Sequence, residues 1–296
     1  MTVARGRATG KVIVAGEHFV VYGAPAIAVP LPAATLEVEI REAAGGPAPQ
    51  GHVAECARIA RERWGGPDPA AVSIVVRSGI PVAAGLGSSA ALSVALARAW
   101  AGMVGRAPDD AELREVSLAC ERVAHGAPSG IDTEVAVTGR AVRFVRGESP
   151  RPQAVAPGIG LIVIDTGTPA STRTMVEAVA RRRTEDPARF ERLLAETSAV
   201  VAAVGDALAA GDVTRLGTAL DAAQPLLAAV GVSTPGLERA VAAVRAAGAA
   251  GAKLTGKGGG GTVIATCRER DAPLLAERLR DEGWTVVAAG GIAPAA

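Results

Sequence analysis

The pattern of apolar and polar positions divides the chain into short strands and longer helices. Residues 11–15 (KVIVA) form an apolar run of strand length, and 26–31 form another. Over 35–41 the period is two: Leu36, Val38 and Ile40 take one face, and Glu37, Glu39 and Arg41 the other. The spacing predicts a helix over 52–64, a buried strand over 72–76, and helices over 88–104 and 109–123. Asp109 or Asp110 caps the last of these. A strand is expected over 141–145 and another over 161–164. Residues 172–247 read as mostly helical, with breaks near Asp186-Pro187, Gly211-Asp212 and Thr234-Pro235. The chain then reads as a strand near Lys253 and Leu254, a glycine run, a strand over 262–266, a helix over 272–282 and a strand over 285–288.

Strands and helices mix in both halves without a regular βαβ repeat. The expected class is therefore α+β in two domains, 1–155 and 156–296, divided in the Pro-rich stretch 147–158. The chain is 296 residues long, with 49% apolar and 21% charged positions, enough for a real core. Aromatic residues are only 2%, so Ala, Val, Leu and Ile must build that core.

A formal net charge of +1 gives no electrostatic reason to expect nucleic acid or an anionic membrane as partner. No apolar run reaches the roughly 18 residues of a spanning helix, and no secretory leader is evident at the start. Cys56, Cys120 and Cys267 are far apart, without metal-ligand or redox spacing, which suits a reducing cytoplasm.

The chemistry concentrates in three segments. Residues 81–91 (PVAAGLGSSAA) place Gly85 and Gly87 before a largely apolar helix. Such a helix start offers free N–H groups and the positive end of a dipole, suited to phosphate. Ser88 and Ser89 add hydroxyls that can cap the helix, bind phosphate or ligate Mg²⁺. Residues 253–261 (KLTGKGGGG) lead into an apolar strand, as expected where backbone approaches a ligand. The overlapping GAKLTGK matches the start of a P-loop, but Gly258 replaces the Ser or Thr and a strand follows, so that reading is rejected. In 121–132 (ERVAHGAPSGID) a turn can swing Asp132 back toward Glu121, one carboxylate for Mg²⁺ and one for a hydroxyl. Lys11 can stabilise transferring charge. His52 lies in a polar stretch and carries no signal.

In this order, 10–28, 81–97 and 252–265 resemble the three motifs of the GHMP kinase superfamily. The resemblance implies an N-terminal domain like ribosomal protein S5 domain 2, a ferredoxin-like C-terminal domain and a cleft active site. GEH at 16–18 followed by VYG at 21–23, together with HGAPSGID at 125–132, is similar to the branch that phosphorylates mevalonate. On that resemblance ATP and Mg²⁺ are required. Pro81, Gly85, Leu86, Gly87, Ser88, Ser89 and Ala90 would cradle the phosphates, with Gly258 and Gly259 closing over them. Ser89 and Glu121 would hold Mg²⁺. Asp132 and Lys11 would be catalytic. Lys11, Glu17, His18, Asp132 and Thr172 would meet the alcohol. A homodimer is also implied. Lys257 departs from the family pattern, which has a small residue there. Other alcohols of the superfamily (phosphomevalonate, homoserine, a sugar) and a non-catalytic metabolite sensor are the alternatives.

Overall fold

The computed structural model describes residues 3–42, 48–81, 84–126 and 128–292, with the backbone but not the side chain of Thr172. The strands form two sheets. In the first the order is β1 (Val3–Ala15), β2 (Ala26–Glu42), β4 (Val142–Phe144) and β5 (Arg151–Pro152), and β3 (Val72–Ser78) also pairs with β2. The second has the order β7 (Gly251–Thr255), β8 (Thr262–Arg268), β6 (Ile159–Asp165) and β9 (Thr285–Gly291).

Two expectations about the first sheet needed lengthening. β1 starts eight residues before Lys11, at Val3. Its early inward positions are Ala4, Gly6, Ala8 and Gly10, too small to register as an apolar stripe. Gly6 is compelled there, since a Cβ would lie 2.6 Å from the backbone nitrogen of Ala99. β2 runs unbroken through Pro30 and Pro32, where two strands were expected. Its ladder with β4 occupies 26–28 and its ladder with β3 occupies 36–42, and both prolines lie between these two stretches. β3 is also not the buried strand expected, because Val75 and Val76 are exposed.

The chain folds into two compact units that interleave along the sequence. One comprises the chain up to Lys11, Ala34–Pro81 and Gly87–Gly139. The other comprises Val12–Ala33, Val82–Leu86 and the chain from Arg140 onward. Compactness thus does not follow the expected cut at 155/156. β1 and β2 each supply residues to both units, and β5 pairs with β4 so that 147–158 lies wholly in the second.

In the first unit α2 (Ser88–Met103) is the core helix, with Ala90, Val94, Leu96, Ala97 and Trp100 buried. Around it pack α1 (Gly51–Trp64), α3 (Asp110–His125) and α4 (Ile131–Thr138). α3 starts at a capping box in which Asp109 accepts from the Glu112 N–H and Glu112 answers the Asp109 N–H. α4 was not anticipated; its eight residues fall inside the segment read as a turn and its sequel.

In the second unit the succession β6, helices, β7, β8, α9 (Ala272–Asp281), β9 on a fully antiparallel sheet is the ferredoxin-like arrangement, enlarged by helices between β6 and β7. Those helices are α5 (Thr172–Glu185), α6 (Pro187–Ala210), α7 (Val213–Ala229) and α8 (Pro235–Ala246). Their breaks fall where Asp186, Asp212 and Thr234 accept hydrogen bonds from first-turn N–H groups. α6 is long and apolar enough to cross a membrane by composition, yet Phe190, Val201, Val204 and Leu208 are buried within the unit. The core joins Ile162, Ile164, Leu254 and Val263 of the sheet to Phe190, Leu237 and Val241 of the helices.

Candidate active site

The first unit brings together four of the predicted residues in two pairs. Lys11 Nζ stands 3.1 Å from Asp132 Oδ1, with the lysine side chain 6% exposed and the aspartate 36%. The pair rests against the start of α2. Gly87 caps that helix at φ 73°, and a Cβ there would come within 3.0 Å of Lys11 Cγ and 3.7 Å of Asp132 Oδ2. Glycine is needed at 87 for both its backbone angle and this approach. The N-cap, Gly87, has no side chain with which to cap the first N–H groups of α2, which are the donors of a helix start.

The second pair is Ser89 and Glu121. Ser89 Oγ donates to Glu121 Oε1 at 2.7 Å, and Glu121 is buried. Burial alone would raise this carboxyl. Hydrogen bonds from His52, Ser89 and Ser93, with His125 nearby, hold it below the ordinary carboxylate value. Both carboxylates of the 121–132 segment reach the start of α2, Glu121 at Ser89 and Asp132 beside Gly87. Asp132 opens α4 and takes Lys11 as partner, while Glu121 ends α3 facing α2.

His52, which carried no signal in the sequence, belongs to this cluster. Its Nε2 lies 3.4 Å from Ser89 Oγ and 3.7 Å from Glu121 Oε1. Contacts with Cys56 and Glu121 push its pKa up to about 10. Cys56 is near it in sequence, at i+4, but Ser89 and Glu121 are not, so the assembled helices reveal the cluster.

The second unit ties the first motif to the glycine-rich third. Glu17 is buried and ion-paired with Lys253, whose ammonium also donates to the Leu254 carbonyl at 2.8 Å. Lys253 was not among the expected site residues. Its one signal was a charged residue inside an otherwise apolar strand. His18 sits at φ 60°, ψ −44°, and the Phe19 N–H closes onto the Glu17 carbonyl at 2.6 Å, a strained three-residue turn. His18 Nε2 lies 2.9 Å from the Lys257 carbonyl, which assigns the proton to that nitrogen. Burial keeps its pKa low. Thr255 Oγ1 adds a bond to the Ile13 carbonyl at 2.8 Å, and Thr262 Oγ1 one to the Ala84 carbonyl at 3.1 Å.

The glycine run itself is packed closely by protein. A Cβ at 258 would meet Val232 Cβ at 2.7 Å, and one at 259 Met175 Sδ at 2.7 Å. Gly85 and Gly256 face each other backbone to backbone. Pro81 precedes the loop, Ser88 and Ala90 lie in the first turn of α2, and Leu86 is buried. Thr172 opens α5, and its side chain lies outside the described residues.

The model for the GHMP kinases N terminal domain matches residues 51–140, and that for GHMP kinases C terminal matches 206–283. The chain is 37% identical to the mevalonate kinase of Aeropyrum pernix, over 90% of this chain and 89% of that one. The chain belongs to the GHMP kinase family. The Thermococcus gammatolerans mevalonate kinase is 32% identical over 90% of each chain. Among solved structures, L. major mevalonate kinase in complex with R-mevalonate superposes with a TM-score of 0.86 at 28% identity, covering 100% of this chain and 97% of that one. The α+β architecture is therefore the two-domain GHMP kinase fold, and membership of a kinase family implies ATP as phosphoryl donor.

Proposed function

We propose that this GHMP kinase transfers the γ-phosphoryl group of ATP to the primary hydroxyl of mevalonate, giving 5-phosphomevalonate in isoprenoid biosynthesis. The Lys11–Asp132 pair against the start of α2 carries the reading. The α2 N–H groups, with residues 85–90, would receive the phosphates. Pro81 would shape the entry to that loop, and Gly258 and Gly259 would close over it. Asp132, the more exposed member of the pair, would accept or orient the hydroxyl proton. Lys11 would neutralise charge on the transferring group without itself changing protonation.

Ser89 and Glu121 fit a Mg²⁺ ion. They offer a hydroxyl and an ionised carboxylate, hard oxygen donors, with water and phosphate oxygens expected to complete the shell. Among the described residues no cluster of three or more His, Cys, Asp or Glu side chains competes as a metal site. When bound, the ion supplies charge neutralisation across the phosphates. Glu17, His18 and Thr172 would place the alcohol, the first two through the strained turn they share.

Two observations support the cytoplasm as location and argue against disulfide staples: all three cysteines are free and buried. The family domains would divide near 155/156, inside the interval 141–205 that separates the two matched segments. A homodimer is expected, with no nucleic acid or membrane partner. The test is ADP release from purified protein with Mg-ATP and mevalonate, phosphomevalonate, homoserine or galactose. Turnover with mevalonate alone is expected. Turnover with another alcohol would keep the phosphoryl-transfer machinery and discard the substrate, and turnover with none would discard the reading.

A further inference from the structure

α2 carries a third serine, one turn beyond Ser89, to which the phosphoryl transfer proposed above gives no part. Ser93 is completely buried, on a helix whose Ala90, Val94, Leu96 and Ala97 are buried as well. A hydroxyl in a helix interior competes with the backbone and is costly to bury unless it is bonded. Ser93 Oγ lies 3.0 Å from Glu121 Oε1, 3.1 Å from the Ser89 carbonyl and 3.4 Å from His52 Nε2. His52, in the first turn of α1, reaches the same oxygen of Glu121.

These approaches share a direction. Ser89, Ser93 and His52 all converge on Oε1, whereas Oε2 has the exposed His125 ring at 3.8 Å. A chain from His52 Nε2–H to Ser93 Oγ, and from Ser93 O–H to Glu121 Oε1, gives each of these two donors an acceptor. Ser89 can keep its proton on Oε1 while a lone pair of its oxygen faces a cation. A carboxylate held by one oxygen has its plane and its second oxygen fixed, as the outer partners of metal ligands do.

We propose that Ser93 and His52 are positioning residues that anchor Glu121 through Oε1, so that Oε2 is the atom presented to the divalent cation carried by the phosphoryl donor. This rests on Ser89 and Glu121 holding that cation, and the test separates the two claims.

The measurement is Mn²⁺ affinity by electron paramagnetic resonance on the full chain with the β,γ-imido analogue of ATP. Ser93→Ala, Ser93→Thr, His52→Gln and Glu121→Gln are compared with wild type. Ser93→Ala should weaken Mn²⁺ roughly 10–100-fold, the scale of a lost outer partner, and Ser93→Thr should recover most of it. The Mg²⁺ concentration for half-maximal turnover should rise in step. Affinity for the analogue without divalent ion should stay at the wild-type value, which a general structural defect would not permit. His52→Gln, at a half-buried position, provides the second reading if Ser93→Ala folds poorly. Unchanged Mn²⁺ affinity in Ser93→Ala and His52→Gln, with a clear loss in Glu121→Gln, overturns the positioning role. A loss shared equally by the metal-free analogue overturns it too. Unchanged affinity in Glu121→Gln as well overturns the metal reading beneath it.

Discussion

Two lysine–carboxylate pairs in this chain look alike on paper and differ in every physical respect. Lys11–Asp132 lies in the first unit, separated by 3.1 Å, with the carboxylate 36% exposed. Glu17–Lys253 lies in the second, at 2% and 0% exposure. An accessible carboxylate beside a cation can exchange its partner for a substrate hydroxyl. A sealed pair cannot, because each charge is uncompensated as soon as the other leaves. The first pair is built to react and the second to hold the strained turn at His18 in register with the third motif.

The sharpest break of this comparison is Asp132→Asn. It should lower turnover roughly a thousandfold, the scale of a lost acid–base group, with ATP affinity nearly unchanged. The same exchange at Glu17 should act first on stability. Next is Lys253→Met, which strands the Glu17 carboxylate in the core and should cost about 3–5 kcal/mol in denaturant unfolding. Lys253→Met combined with Glu17→Gln should return most of that loss, whereas an exposed pair would show almost no such coupling. Smaller still, Gly87→Ala adds a methyl against Lys11 Cγ at a left-handed position. It should cost about 1–2 kcal/mol in stability and depress kcat more than the KM for ATP.

The smallest effect is on pH dependence. Burial sets the folded pKa of His18 below its ordinary 6.5, so the unfolded chain takes up that proton first as pH falls. Its contribution is complete above about pH 6.5 and is lost as pH drops toward the folded value. Thermal unfolding at stepped pH should show His18→Gln flattening that part of the curve by less than about 1.4 kcal/mol per pH unit.

Much of the fold was legible because the deciding signals were local. The breaks at 186, 211 and 234 were written by Asp and Thr caps and by Pro or Gly beside them. β1 was shortened because Ala and Gly can line an inner face without an apolar stripe, and β2 was split because Pro30 and Pro32 read as a break in a strand that in fact continues through them. α4 was hidden because its cap is Gly130 in a left-handed conformation, which reads as a turn. The motif residues could be named and grouped, Lys11 with Asp132 and Ser89 with Glu121, from the family resemblance of the segments they stand in. What the sequence could not supply is the helix α4, whose first turn sets Asp132 beside Lys11. His52, Ser93 and Lys253 were out of reach for one reason. The carboxylates they reach, Glu121 and Glu17, are 28 to 236 residues away, and their environments exist only after the helices and sheet assemble.

Phosphoryl transfer to a primary alcohol can be read from ³¹P NMR of the product formed from Mg-ATP and mevalonate. The expected spectrum shows ADP together with an equal amount of one phosphomonoester, its resonance split by the protons of an adjacent CH₂ and absent with Asp132→Asn. An unsplit ester signal, marking transfer to the tertiary hydroxyl, or ADP formed without any ester, would contradict it.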